Sequence, residues 1–168
     1  MSEIAGKISI VVGNYHLLKP YNGKGVLLSR INDLDLRTIT VIGAGVAGRN
    51  AIDASINLGA KVNVIDLDEE KLRTLKQKYP INLEGYLSND SNITKCISES
   101  DLIIGSVYLT GKKAPTIITR SMLEQIKPGT VLVDISIDQG GCFETSKPTT
   151  HQDPTFLIDD ILHYCVSN

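Results

Sequence analysis

The chain has 168 residues, of which 42% are hydrophobic and 21% charged, and its formal net charge is −2. This composition is typical of one globular domain with a real core, and it offers no basic surface for nucleic acid or for an anionic membrane. No apolar run reaches the ~20 residues needed to cross a bilayer, and the first residues lack the order of a signal peptide. The three cysteines are widely spaced and form no CxxC pair, so we expect no metal site and a cytoplasmic location.

The N-terminal region is predicted to form one short helix followed by a linker. Residues 2–12 place their apolar side chains on one helical face, and Ser2 is a plausible N-cap for this helix. Residues 13–36 contain several glycines and one proline, which predict irregular structure. We interpret them as a linker or flap that leans on another part of the protein or on another domain.

From Arg37 onward the chain alternates between predicted strands and helices. The strands are predicted at 39–42, 62–65, 84–87, 102–105 and 130–133, the helices at 46–58, 69–78 and 91–98, and one or two further strands at 156–166. A short additional helix begins either with a capping box from Ser121 to Glu124 or with Thr119 as its cap. This alternation implies right-handed crossovers. It predicts an α/β fold, a doubly wound parallel sheet of the Rossmann type with strand order 3-2-1-4-5-6.

A glycine motif joins the first predicted strand to the helix that follows it. In Gly43-x-Gly45-x-x-Gly48, the first glycine permits a tight turn and the second lets a pyrophosphate approach the backbone. The third glycine lets the helix pack closely on the strand. The free N–H groups at the start of the helix, from Val46 onward, would face the phosphates.

An acid ends the second predicted strand, which is the fourth part of the same pattern. Asp66 stands eighteen residues beyond Gly48 and could accept hydrogen bonds from both ribose hydroxyls of an adenosine. Its charge would repel a 2′-phosphate, which favours NAD(H) over NADP(H), with Lys71 a poor counterweight. The alternative is a glycine-rich turn in some other α/β fold, with Asp66 as a solvated strand end.

Asp138 follows the fifth predicted strand and stands before a Gln-Gly-Gly run. Ligands of doubly wound folds bind at the carboxyl ends of the strands, so this carboxylate could belong to a catalytic rim. An aspartate before glycines is also common as an Asx-turn residue. The position alone does not decide between these two interpretations.

Several stretches resemble the cofactor-binding part of bacterial alanine dehydrogenases. The most specific is the run at 133–151, Val-Asp-Ile-Ser-Ile-Asp-Gln-Gly-Gly-Cys-Phe-Glu-Thr-Ser-Lys-Pro-Thr-Thr-His. The turn Val-Ile-Gly-Ala-Gly-Val-Ala-Gly at 41–48 and the start Met-Ser-Glu-Ile-Ala-Gly-Lys at 1–7 agree with it. Shorter matches lie at 114–116, 126–129 and 163–166. The related proton-translocating transhydrogenases share the nucleotide turn, but their segment after the fifth strand is different.

The resemblance implies NAD-dependent, reversible oxidative deamination of L-alanine to pyruvate and ammonia by a homo-hexamer. It also implies two domains with the active site between them, and it makes Asp138 the catalytic aspartate. The motif and the resemblance together assign cofactor contacts to Ser2, Gly43, Gly45, Val46, Gly48, Asp66, Lys71, Ser88, Val107, Tyr108, Ile135, Ser136, Ile137, Asp138, Lys147, Val166, Ser167 and Asn168. Lys147 stands where relatives carry an arginine, so a bidentate contact there would become a point-charge contact.

The family's substrate domain supplies the lysine and histidine that transfer protons and the arginine that binds the substrate carboxylate. No stretch of this chain resembles that domain, and His16, His151 and His163 are not expected to replace it. We therefore expect an inter-domain helix and linker at 1–36 and a Rossmann domain at 37–168, incomplete for catalysis by itself. The alternatives are a stand-alone, non-catalytic NAD(H)-binding module and the NAD(H)-binding part of a transhydrogenase-like protein.

Overall fold

A computed structural model describes residues 1–32 and 36–167 of the chain. Within these ranges the α-helices are α1 Ser2–His16, α2 Val46–Asn57, α3 Glu69–Lys78, α4 Asp90–Glu99 and α5 Arg120–Leu123. The strands are β1 Thr38–Ile42, β2 Lys61–Asp66, β3 Leu83–Leu87, β4 Leu102–Gly105, β5 Val131–Asp134, β6 Thr155–Ile158 and β7 Ile161–Tyr164. Short 3-10 turns lie at Lys19–Tyr21 and Ile135–Gln139. In this part of the chain, no helix combines the length and the apolar character needed to cross a membrane.

The strands form one sheet in the order β3-β2-β1-β4-β5-β7-β6. All neighbouring pairs are parallel except β6 and β7, which form an antiparallel hairpin at the edge. The predicted fold class is confirmed, and the predicted strand order holds through β5. The sixth position is taken by β7 rather than by the first strand of the tail, because the tail forms a hairpin whose second strand pairs with β5.

Alternate residues of the central strands supply two hydrophobic layers, one on each face of the sheet. Ile39 and Val41 of β1 pack with the buried side chains of α1, α2 and α3. Ile42 packs with buried residues of α4 and α5 on the opposite face. Because both faces are covered, the strands are nearly continuous apolar runs, as expected for a buried parallel sheet.

Two predictions for the first helix are wrong. Ser2 is not the N-cap: α1 begins at Ser2, with Met1 in the cap position and no side-chain cap bond. The helix also continues to His16, beyond the predicted end at residue 12. Gly13 had suggested a break, but a Cβ atom there would lie 2.6 Å from the Leu102 side chain. The glycine allows the helix to approach the sheet closely and does not end it.

The described part of the predicted linker packs on the Rossmann sheet itself. Leu17 and Leu28 are fully buried in the main core. The Lys24 ammonium lies 3.1 Å from a carboxylate oxygen of Asp101 and 3.1 Å from the Ser100 carbonyl oxygen. Residues 33–35 lie outside the described residues, and the domain boundary at residue 36 stays a prediction.

Thr119 is the cap of α5, which was one of the two alternatives. The Thr119 hydroxyl oxygen accepts a hydrogen bond from the Met122 N–H group at 3.4 Å. The capping box from Ser121 to Glu124 is therefore not used. Ser121 lies within the helix, one residue after its start.

The β6–β7 hairpin turns through two aspartates that both have positive φ angles, 50° at Asp159 and 62° at Asp160. Such turns favour glycine at the second position, because L-residues are strained in this region. We expect Asp160→Gly to raise the free energy of unfolding by about 0.5–1 kcal/mol. Urea denaturation would measure the change. Asp159→Gly should raise the free energy of unfolding by less, since the Asp159 carboxylate forms an ion pair with the Arg120 guanidinium at 2.7 Å. A loss of stability in Asp160→Gly would contradict this prediction.

Candidate functional site

The carboxyl ends of β1, β2, β4 and β5 open onto one cleft of about 1190 Å³. The starts of α1 and α2 form part of its wall. The predicted site residues that line it are Ser2, Gly43, Gly45, Val46, Asp66, Lys71, Ser88, Val107, Tyr108, Ile135, Ser136 and Asp138. Residues that are distant in sequence therefore come together at the edge of the sheet where doubly wound folds bind ligands.

The three motif glycines have distinct surroundings at the start of the cleft. Gly43 has a φ angle of 95°, and a Cβ atom there would lie 2.7 Å from the Ser106 carbonyl oxygen. A Cβ atom on Gly48 would lie 1.9 Å from the Gly43 carbonyl oxygen, whereas one on Gly45 would meet nothing within 4 Å. Gly43 and Gly48 are therefore required by the fold, and Gly45 leaves open space above the backbone.

The first turn of α2 presents unpaired backbone donors to this space. Gly45 is the N-cap and provides no side-chain cap, so the first N–H groups of the helix have no intrahelical partner. Val46, the first helical residue, lines the cleft. Unpaired N–H groups at the positive end of a helix dipole form a favourable place for an anion such as a phosphate.

Asp66 anchors the glycine turn as well as facing the cleft. One carboxylate oxygen accepts a hydrogen bond from the Ala44 N–H group at 2.6 Å, and the other accepts one from the Asp68 N–H group at 2.9 Å. A carboxylate has about four lone-pair positions, so acceptor capacity is left for further hydroxyl donors. The sequence pattern predicted the position of this acid but not its bond to the turn.

Lys71 and Ser88 flank Asp66 at the same end of the cleft. The Lys71 ammonium lies 3.8 Å from a carboxylate oxygen of Asp68, which is also the N-cap of α3. The Ser88 N–H group donates to the Asp66 carbonyl oxygen at 2.9 Å. Both side chains line the cleft.

A buried carboxylate organises the turn that follows β5. Asp134 accepts hydrogen bonds from the Ser136 N–H group at 2.9 Å, the Cys142 N–H group at 2.9 Å and the Ser146 hydroxyl at 2.5 Å. Burial raises the pKa of Asp134, although these hydrogen bonds act in the opposite direction. Burial next to the Asp134 charge also raises the pKa of the Cys142 thiol. The network fixes both ends of the turn that carries Ser136 and Asp138.

The turns after β4 and β5 are joined by Gln139. Its side-chain NH₂ group donates to the Leu109 carbonyl oxygen at 3.1 Å, and its side-chain oxygen accepts from the Leu109 N–H group at 3.4 Å. Tyr108 lies on this joined rim and is 70% exposed. Asp138 is exposed on the other side of the rim and lines the cleft. Its catalytic role stays a prediction.

Several predicted contact residues are not brought to the cleft. Ile137 is only 3% exposed, because the 3-10 turn directs its side chain into the fold. The Lys147 ammonium lies 4.4 Å from the centre of the Phe156 ring. Val166 forms a β-bridge with Thr149, and neither Val166 nor Ser167 lines the cleft. Gly48 is not among the residues that line the cleft, and Asn168 lies outside the described residues.

The histidines also lie away from the cleft, as the sequence suggested. His163 is fully buried, and one ring nitrogen lies 2.8 Å from the Thr145 hydroxyl. Burial lowers the pKa of both His163 and His16. His151 is exposed in a loop.

Three residues that line the cleft were not predicted as site residues: Arg49, Ser106 and Gln139. The Ser106 hydroxyl lies 3.0 Å from the Ile42 carbonyl oxygen and 2.8 Å from that of Gly43, so it supports the glycine turn. Its position directly after β4, at the carboxyl end of a strand, was the feature of the sequence that could have indicated this role. Arg49 lies on the helix that follows the glycine motif, and Gln139 is next to Asp138.

The chemistry of this cleft fits a dinucleotide. Because Gly45 has no Cβ atom, the space above its backbone stays open, and this space lies beside the unpaired N–H groups at the start of α2. At the far end, Ser136 and Asp138 are the polar residues that line the cleft after β5. Asp66 has spare acceptor capacity between these points. Donors for phosphate, an acceptor for ribose and, at the far end, the polar residues after β5 therefore line one cleft.

This fold and this cleft define a Rossmann-type dinucleotide-binding domain. The model of the family described as "Alanine dehydrogenase/PNT, C-terminal domain" matches residues 9–168. The chain belongs to that family.

The relatives agree with this assignment. An alanine dehydrogenase from Halomonas elongata is 46% identical over 168 residues, which cover 100% of this chain and 45% of that protein. A solved L-alanine dehydrogenase superposes with a TM-score of 0.95 at 37% identity, covering 100% of this chain and 46% of the other. A transhydrogenase from Sinorhizobium meliloti, with a TM-score of 0.83 at 22% identity, shares the fold. The chain thus spans about half the length of these relatives.

Proposed function

We propose that this chain is the NAD(H)-binding domain of an alanine dehydrogenase, which converts L-alanine, NAD and water to pyruvate, ammonia and NADH. The observation that carries the proposal is the position of Asp66. Its carboxylate is held against the glycine turn by the Ala44 N–H group and still faces the cleft. Membership of the family and its alanine dehydrogenase relatives support the reaction.

The phosphate and adenosine contacts follow from the groups at the first two strands. The open backbone at Gly45 and the N–H groups from Val46 onward bind the pyrophosphate, with the Ser2 hydroxyl nearby. Asp66 accepts from the adenosine ribose hydroxyls. Lys71 and Ser88 border the same end.

At the other end of the cleft, Val107, Tyr108 and Ile135 provide the wall, and Ser136 and Asp138 provide the polar groups. NAD, when bound, supplies the hydride acceptor. The nicotinamide portion is proposed to lie against this wall. Asp138, exposed on the rim, is the proposed catalytic aspartate because it faces the space next to that portion.

The substrate side requires groups beyond this cleft. Its charged lining side chains are Arg49, Asp66, Asp68, Lys71 and Asp138. Of the described residues that line the cleft, Asp138 provides the charge at the proposed nicotinamide end, and a carboxylate repels the carboxylate of L-alanine. We therefore assign substrate binding and proton transfer to a second domain, as the resemblance implies. A homo-hexamer and a cytoplasmic location belong to the same proposal.

The test is a fluorescence or calorimetric titration with NADH and NADPH. The Asp66 charge should make the chain bind NADH more tightly than NADPH. Asp66→Asn keeps an acceptor for the Ala44 N–H group but loses the charge, so NADH affinity should fall by about 1.5–3 kcal/mol, tenfold or more. The preference for NADH over NADPH should narrow at the same time.

Asp68→Asn is the matched control for this titration. It removes the same charge from the same cleft, and an asparagine still caps α3. If Asp66 contacts the ribose directly, the control should change NADH affinity much less. Equal or tighter binding of NADPH by the unaltered chain would refute the assignment to NAD(H).

A further inference from the structure

Arg49 is a cation whose position in the cleft the family motif does not explain. It lies on α2, four residues after the N-cap Gly45, and its N–H group donates to the Gly45 carbonyl oxygen at 2.9 Å. Its side chain is exposed and lines the cleft together with Ser2. In residues 1–32 and 36–167, no carboxylate forms an ion pair with its guanidinium.

The position is electrostatically unfavourable in the absence of an anion. The N-terminus of a helix carries positive partial charge, so a cation near the first turn is repelled. α2 offers no compensation there, because its first turn has no acid and its N-cap has no side chain. By contrast, α3 begins with the Asp68 cap and two glutamates, and α4 begins with the Asn89 cap and Asp90.

The packing of α1 on α2 brings a second polar group to the same place. A Cβ atom on Gly6 would lie 2.1 Å from the Ala47 carbonyl oxygen, so the two helices meet closely here. This contact sets Ser2 next to the start of α2, on the cleft wall that Arg49 also lines. The open backbone at Gly45 lines the same cleft.

The lysine of the cleft wall already has a carboxylate partner. The Lys71 ammonium lies 3.8 Å from the Asp68 carboxylate, at the end of the cleft that holds Asp66. Arg49 is thus, among the described residues of the cleft wall, the cationic side chain at the glycine-turn end. A diphosphate bound over Gly45 would carry two negative charges, and a guanidinium can bind phosphate oxygens with two parallel N–H bonds.

We propose that Arg49 binds the diphosphate of the dinucleotide and neutralises part of its charge. This inference rests on the proposed function, because it assigns a further residue to the same cleft. Without the ligand, Arg49 is repelled by the α2 dipole. With the ligand, both Arg49 and the dipole act on the same anion.

The experiment compares the Arg49→Gln variant with the unaltered chain by titration with NADH, ADP and adenosine at low and high salt. We expect Arg49→Gln to weaken the binding of NADH and ADP about tenfold at low salt and to leave the affinity for adenosine unchanged. The salt dependence of NADH affinity should decrease, because one phosphate-binding cation is lost. The thermal midpoint of the ligand-free chain should stay the same or rise.

Arg73→Gln is the matched control, since Arg73 is an exposed arginine on α3 that pairs with Glu70 outside the cleft. It should change none of the affinities. Arg49→Lys should retain part of the affinity for NADH and ADP. The role of Arg49 is overturned if the unaltered chain binds NADH and Arg49→Gln binds it equally well. It is also overturned if Arg49→Gln loses as much affinity for adenosine as for NADH. If the unaltered chain binds no NADH, the proposed function falls together with this inference.

Discussion

Replacing Gly45 and Gly48 with alanine is expected to produce two different defects. In Gly48→Ala the new Cβ atom would lie 1.9 Å from the Gly43 carbonyl oxygen and 2.8 Å from the Ser106 hydroxyl. The first of these atoms is backbone, so α2 would have to move away from β1. We expect the free energy of unfolding to fall by roughly 3 kcal/mol or more.

Gly45→Ala should leave the fold intact. Gly45 has a φ angle of −73° and a ψ angle of −165°, which an alanine can adopt, and its Cβ atom would meet nothing within 4 Å. Stability should therefore change by no more than about 0.5 kcal/mol. The same Cβ atom would occupy the space through which a pyrophosphate approaches, so NADH affinity should fall by roughly 2–3 kcal/mol, about 30- to 150-fold.

Urea denaturation and NADH titration on both variants separate the two roles, and each variant is the control for the other. Gly48→Ala should lose stability first, and any loss of binding should follow from unfolding. Gly45→Ala should unfold like the unaltered chain while failing to bind. If Gly45→Ala is as unstable as Gly48→Ala, or binds NADH normally, this division of roles is wrong.

The sequence predicted the fold well where local chemistry and periodicity agree. The predicted ends of helix α3 match the observed ones, because Asp68 caps the helix, acids fill its first turn and Pro80 follows it closely. The β-branched runs in β1, β2 and β4 left few other possibilities. Gly13 was misinterpreted because its reason is tertiary: the glycine makes room for Leu102 of β4, and local sequence does not reveal that contact.

The site was predicted where a motif places the backbone, and less well where a turn decides which way side chains point. The glycine turn and Asp66 follow from spacing along one strand–helix–strand unit. Ile137 was expected at the nicotinamide end, but the 3-10 turn after β5 buries it and leaves Ser136 and Asp138 at the cleft. The contacts of Gln139 with Leu109 depend on two loops meeting, so no sequence period could indicate them.

Removal of the Asp134 carboxylate is expected to be the most damaging change at the proposed nicotinamide end of the cleft. Asp134→Ala would leave the buried N–H groups of Ser136 and Cys142 and the Ser146 hydroxyl without their acceptor. We expect a loss of roughly 3 kcal/mol or more in the free energy of unfolding. Ser146→Ala removes one of these donors only, so it should cost about 1 kcal/mol. NADH affinity should fall further in Asp134→Ala than in Ser146→Ala, because the freed turn carries Ser136 and Asp138.

The pH dependence of this loss has a definite sign. Burial raises the pKa of Asp134 above the value of about 4 that an aspartate has in the unfolded chain. A raised folded pKa means that the stabilisation from this group is fully present below the unfolded pKa and decreases as pH rises through the folded pKa.

Denaturation of the unaltered chain and of Asp134→Ala from about pH 4 to about pH 8 measures this dependence. The difference in their free energies of unfolding should be largest at the acid end. If the difference grows towards neutral pH instead, the hydrogen bonds to the carboxylate outweigh its burial, and Asp134 stabilises the turn mainly in its charged form.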